Sequence, residues 1–216
     1  SRLTTALAAA GVDTLGTDKT YTVYAISDGD TATEAGRAGE ALLAAREENY
    51  GDFAVFFEGT SLTVYAKNEK TFTDAISYLS QFFKEGALIV PENLSHVQQK
   101  TLPNILLGDK PITDYTVVAM EKSLAGVAEN FARDLGAVCG KVPKISDSQA
   151  RHAINLVVED AKSEAGFSET YEVTVAGNAL TLTAKTKASL SYALSDFIAS
   201  LNGDKTFTAE DNGTRT

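Results

Sequence analysis

The 216-residue chain has no tryptophan, one cysteine, one methionine and four prolines. One thiol closes no intramolecular disulfide and builds no Cys-based zinc site. Cations are also scarce. Nineteen Lys and Arg stand against 29 Asp and Glu, for a formal charge of −10 and a pI near 4.7. No basic block interrupts that balance, so neither nucleic acid nor anionic lipid finds the Lys/Arg cluster needed to displace counterions. No run approaches the roughly 20 apolar residues of a membrane span, which argues against membrane insertion in this segment. Hydrophobic residues nonetheless make up 44% of the chain. That share excludes disorder, and the length allows one large domain or two of about 100 residues.

The chain begins at Ser1, which reads as an excised piece or a processed product. The apolar stretch Leu3–Ala10 is too short and too weakly flanked for a signal peptide. The polar tail, residues 211–216, reads as frayed.

Internal echoes organise the rest. Tyr21-Thr-Val-Tyr-Ala-Ile26 is repeated by Tyr115-Thr-Val-Val-Ala-Met120 at an offset of 94 residues (115 − 21). Phe53-Ala-Val-Phe-Phe-Glu-Gly59 matches Tyr171-Glu-Val-Thr-Val-Ala-Gly177 at an offset of 118 (171 − 53). At that second offset Leu62-Thr63 pairs with Leu180-Thr181, Ala66-Lys67 with Ala184-Lys185, and Ala75 with Ala193. The 24-residue difference places an insertion in the second copy between about Cys139 and Gly166.

Periodicity supports the echoes. Phe72, Ala75, Ile76, Leu79, Phe82 and Phe83 draw one helix face, as do Leu190, Ala193, Leu194, Phe197, Ile198 and Leu201. Leu124, Val127, Ala128, Phe131, Ala132, Leu135 and Val138 form a further stripe, with Ala35, Ala38, Ala41, Leu42 and Ala45 as its weaker counterpart. Thr31 and Glu34 read as a capping box before that weaker helix. Its small residues suggest close packing on a sheet. Glu58-Gly-Thr-Ser61 and Ala176-Gly-Asn-Ala179 are hairpin turns, since Gly and Asn tolerate positive φ. Ala153–Val158 reads as a buried strand within the insert, and Asn104–Leu107 as a strand between the copies. Three of the four prolines, Pro91, Pro103 and Pro111, collect in that intervening stretch.

The expected fold class is therefore α+β, as two tandem related domains. Each is a mixed or antiparallel sheet with two helices packed on it. The boundaries are a degenerate first copy at 1–90, a Pro-containing linker at 91–113, a second copy at 114–210 and the tail.

Chemical signatures are sparse. His96 and His152 fall in the linker and the insert, where both read as surface residues. Cys139 ends an apolar helix stripe and reads as a buried structural thiol. Asp28-Gly-Asp30 with Glu34 has calcium-loop residue types, but the spacing fails and it reads as a turn and cap. No phosphate-binding Gly-rich loop is present, and no cofactor is called for. Glu159 and Asp160 end the extra strand of the second copy, where site residues often lie. Sugar binding relies on exposed aromatic platforms. Of the eight tyrosines, Tyr24 and Tyr50 are the ones expected at the surface, with the others in the core. Tyr24, Tyr50, Glu159 and Asp160 are the candidate ligand-binding residues. Asn93-Leu-Ser95 and Asn212-Gly-Thr214 are glycosylation sequons.

The second copy, roughly residues 112–208, resembles a known module. Tyr115-Thr-Val117 matches its opening strand, Ala128 to Leu135 its Ala-rich helix, and Pro143 its proline segment. Ile154-Asn-Leu156 matches the next strand, Tyr171-Glu-Val-Thr-Val175 the hairpin and Tyr192-Ala193 the last helix. The module is the small α/β domain N-terminal to the catalytic barrel in family 20 β-N-acetylhexosaminidases, α-glucuronidases and related bacterial glycan-processing proteins. Val158-Glu159 and Ser189-Leu-Ser191 stand where that family commonly has Gly. The resemblance implies a non-catalytic domain packed beside a catalytic or binding domain of a secreted, cell-surface or extracellular protein. It transfers no catalytic residue, because the barrel carrying them lies outside the matched segment. The expected role is scaffolding for a partner domain of the same protein. The alternatives are a glycan or cell-wall binding module and a hydrolase with a site between the copies.

Overall fold

The computed structural model describes residues 22–84, 87–91, 93–159 and 166–216. The class is α+β, and the chain divides into two compact units, Ser1–Lys100 and Thr101–Thr216.

In the first unit, β1 (Thr22–Ile26) leads to α1 (Glu34–Leu43). The hairpin of β2 (Phe53–Glu58) and β3 (Ser61–Ala66) follows, then α2 (Glu69–Ser80). The short pair β4 (Phe83–Lys84) and β5 (Ala87–Leu88) precedes β6 (Ser95–Gln98). The sheet order is β1-β3-β2-β6, with β1 parallel to β3 and the other pairs antiparallel. Strand alternation sends successive residues to opposite faces, and both faces are covered. Phe53, Val55, Leu62 and Val64 pack with Phe72, Ala75 and Leu79 of α2. Ala54, Phe56 and Tyr65, on the other face, pack with Leu43 of α1 and its half-buried neighbours Ala38 and Leu42.

In the second unit, β7 (Ile105–Leu107) and β8 (Lys110–Pro111) precede β9 (Thr116–Val118), α3 (Ala125–Cys139) and β10 (Ile145–Ser146). Next come β11 (Ala153–Val158), β12 (Tyr171–Ala176), β13 (Ala179–Ala184) and α4 (Lys187–Ala199). The chain then forms β14 (Lys205–Phe207) and β15 (Gly213–Arg215). The main sheet runs β10-β9-β11-β13-β12-β15, with its first four strands mutually parallel. A smaller sheet orders β14-β7-β8. Here both helices share one face. Phe131 and Leu135 of α3 and Leu190 and Phe197 of α4 join Ile154, Leu156, Val173, Leu180 and Leu182 in a single core.

The two hairpins pair identically at the 118-residue offset. Phe53 faces Ala66 as Tyr171 faces Ala184, and Glu58 faces Ser61 as Ala176 faces Ala179. Their turns use Gly59 at φ +58° and Gly177 at φ +57°, a region an L side chain rarely adopts. The helices do not follow this correspondence, because α1 and α2 cover opposite faces whereas α3 and α4 share one. In the second unit β11 also enters between β9 and β13, where β1 pairs with β3 directly in the first.

Several expectations are corrected. Residues 91–113 are not a linker. β6 pairs with β2 and β7 with β14, so the prolines sit at strand ends and turns inside both units. The tail is not frayed, since Gly213–Arg215 adds to the edge of β12 and Val175 N–H donates to Asn212 Oδ1 at 2.5 Å. The first helix buries Gly36, Gly39 and Leu43 rather than its alanines, and its cap is Thr33, whose Oγ1 accepts the Gly36 N–H at 3.0 Å. The helix α2 stops at Ser80, which puts Phe82 in a turn and Phe83 in a strand.

Candidate functional site

A cluster of interlocked polar side chains lies in the first unit, around the carboxyl ends of the parallel pair β1 and β3. Crevices beyond such strand ends are the usual ligand positions of open α/β sheets. Glycine makes the cluster geometrically accessible. A Cβ at Gly39 would stand 2.4 Å from Tyr65 Cγ, so α1 approaches the sheet only because that atom is missing. At this distance Glu40, the next residue, reaches across the sheet. Tyr65 O–H donates to its Oε2 at 2.8 Å, and Lys67 Nζ donates to its Oε1 at 2.7 Å.

Lys67 also donates to Asn49 Oδ1 at 2.7 Å. Asn49 is 8% exposed, and its amide donates to the Leu43 and Arg46 carbonyls, both at 2.9 Å. Beyond it, Asp52 is 1% exposed. It accepts from the Arg46 guanidinium and from the Lys100 N–H, and Arg46 in turn donates to the Lys100 carbonyl. The loop before α1 folds by its own side chains: Asp28 Oδ1 accepts from the Asp30 N–H and Asp30 Oδ1 from the Ala32 N–H. These are turn contacts, as the sequence indicates.

Electrostatics fixes the proton positions. Burial pushes the Glu40 carboxyl up, but the hydrogen bonds from Lys67 and Tyr65 outweigh it and hold the group below its usual 4.5. Burial, reinforced by the Glu40 charge, pushes the Tyr65 phenol well above its usual 10. At neutral pH the cluster is thus a carboxylate accepting from a phenol and an ammonium. Every one of these groups is matched to another, so the arrangement clamps the end of α1 to the sheet.

The second unit has smaller counterparts. Tyr171 is 2% exposed and donates to Asp196 Oδ2 at 2.6 Å. Burial and Asp196 push its phenol up to about 12, with Arg215 acting the other way. Tyr115 donates to the Leu107 carbonyl at 2.7 Å, and burial raises its phenol also.

The sequence-derived candidates are scattered. Tyr24 is 39% exposed on the edge strand β1. Tyr50 is half-buried in the turn before β2, where its carbonyl accepts from Asn68 Nδ2 at 2.7 Å. Glu159 is exposed just past β11 in the second unit, with its N–H bonded to the Ala184 carbonyl. Asp160 lies outside the described residues. Tyr24 and Tyr50 therefore share a unit but Glu159 does not.

The histidines are not free surface residues. His96, on β6, stacks on Tyr78 at 3.9 Å with an interplanar angle of 6°. His152 lies edge-on to Tyr115 at 5.4 Å. Among the described residues, neither His96 Nε2 nor His152 Nδ1, both buried, has a hydrogen-bond partner. Cys139 is half-buried against the second core at the end of α3. Among the described residues no three His, Cys, Asp or Glu side chains converge as a metal site, and no helix is long and apolar enough to cross a membrane.

The Glu40–Tyr65–Lys67 cluster was not visible in the sequence, because its members lie 25 and 27 residues apart and follow no local motif. The one available signal was the Gly36-Gly39 spacing on a small-residue helix. No family model and no curated protein matches the chain.

Proposed function

We infer that the chain is a non-catalytic accessory or scaffold segment of a larger, secreted, bacterial glycan-processing protein, built as two copies of one ancestral module. The observation that carries this reading is the internal commitment of its strongest polar groups. Glu40, Tyr65, Lys67, Asn49, Asp52 and Arg46 satisfy one another and hold α1 in place. Such a network fixes shape, and a fixed shape is what a scaffold offers a neighbouring domain. The shared hairpin register supports duplication, and the residues of the second copy resemble the hexosaminidase-associated module. The test is genetic. A reading frame with no barrel or other large domain beside this segment removes the basis of the proposal.

A second reading is a glycan or cell-wall binding module. It is favoured by the face of the second sheet opposite both helices, where Asn155, Thr174, Thr181 and Thr183 stand half-buried in neighbouring strands. Tyr24 offers an exposed ring in the first unit. Saturable binding on a glycan array favours this module over the scaffold. Hydrolysis of chromogenic glycosides that is abolished by Glu159→Gln overturns both.

A further inference from the structure

Two Asn-Gly pairs occur in the chain, Asn202-Gly203 and Asn212-Gly213. Asparagine before glycine is chemically vulnerable, because no Cβ restricts the following backbone nitrogen. The two pairs have opposite surroundings. Asn202 is exposed in the bend between α4 and β14, and its side chain has no hydrogen-bond partner among the described residues. Among the described residues, a Cβ built on Gly203 meets nothing within 4 Å, so the backbone there is open on its outer side. Asn212 is tied down instead. Its Oδ1 holds the Val175 N–H at 2.5 Å, and Gly213 is in register with Val173 at the sheet edge.

We propose that Asn202 is a site of spontaneous deamidation, and that the fold protects Asn212. In the first step the Gly203 nitrogen gives its proton to a solvent base and attacks Asn202 Cγ. The new C–N bond closes a succinimide. The Cγ–Nδ2 bond breaks, and ammonia leaves after taking up a proton. Water then adds to either ring carbonyl and opens the ring to aspartate or isoaspartate. Nothing is oxidised or reduced. The product carries a new carboxylate two residues from Asp204, whose Oδ1 accepts the Asn104 N–H at 2.7 Å. The isoaspartate form also adds one backbone carbon to the link between α4 and β14. At Asn212 the same attack requires the side chain to release Val175 and Gly213 to leave the strand.

The test is peptide mapping of the full chain after incubation in mildly alkaline buffer. Trypsin places Asn202 in Ala188–Lys205 and Asn212 in Thr206–Arg215. The amide-to-acid mass gain is expected in the first peptide, as a chromatographic doublet. It should be slower in the second by about fivefold or more, the factor set by roughly one net hydrogen bond. In guanidinium the two rates should converge. Equal rates in the native chain overturn the proposal, and so does a contrast that survives undiminished in guanidinium.

Discussion

A Cβ at Gly39 would meet Tyr65 Cγ at 2.4 Å, and one at Gly36 would meet the Asp30 carbonyl oxygen at 2.1 Å. Helix propensity favours Ala over Gly by about 1 kcal/mol, but overpacking costs about 1–3 kcal/mol. Tyr65 is fully buried and its hydroxyl is tied to Glu40, so it has nowhere to yield. Gly39→Ala is therefore expected to lower stability, while Gly126→Ala, at an exposed α3 position with none of the described residues within 4 Å of the added Cβ, should raise it by up to about 1 kcal/mol. Urea melts of the two variants measure the opposite signs. Glu40 gives a pH signature. Its carboxyl is held below 4.5 in the folded chain, so its contribution is complete above that value and disappears as the pH falls through the folded pKa. Glu40→Gln should flatten the acid limb of a stability-against-pH curve.

At the scale of elements, most of the packing was legible in the sequence. The stripes through Phe72, Ala75 and Leu79, through Phe131 and Leu135, and through Leu190 and Phe197 all face cores. Period 3.6 survives translation into structure because burial of one face selects it. The glycine turns of both hairpins and the buried strand β11 were equally readable. What escaped was long-range. No local pattern tells that α1 crosses to the opposite face from α2, or that Ser95–Gln98 and Gly213–Arg215 close sheet edges, because those choices depend on partners far along the chain. The candidate site was less legible still. The search for surface aromatics points to Tyr24 and Tyr50, whereas the tyrosines that make the decisive hydrogen bonds, Tyr65, Tyr115 and Tyr171, are core residues whose hydroxyls needed acceptors. These phenols yield a second pH prediction. Their folded pKa values lie above 10, so on unfolding in alkali they release protons and stability declines as pH rises past 10. For Tyr171 the loss is complete near pH 12, and Tyr171→Phe should make the alkaline limb shallower in thermal melts.

For the whole molecule, each unit owns its hydrophobic core: Phe53, Val55, Leu62 and Leu79 in the first, and Phe131, Leu156, Leu182 and Phe197 in the second. A self-contained core is the condition for independent folding. Residues 101–216 expressed alone should give dispersed amide resonances and a cooperative melt. A collapsed spectrum would show that the second core depends on residues outside it. The scarcity of cations and the −10 charge describe a solvated surface, while the missing tryptophan removes the ring most suited to stacking on a sugar. Both are compatible with the scaffold proposed above. The most direct test of that proposal is the melting temperature of whichever large domain the parent reading frame is found to encode beside this segment, measured with and without residues 22–216. A clear fall on removal, with that domain's catalytic constants preserved, is the predicted result. An unchanged melting temperature, with glycan binding or hydrolysis traced to residues 22–216 themselves, would contradict it.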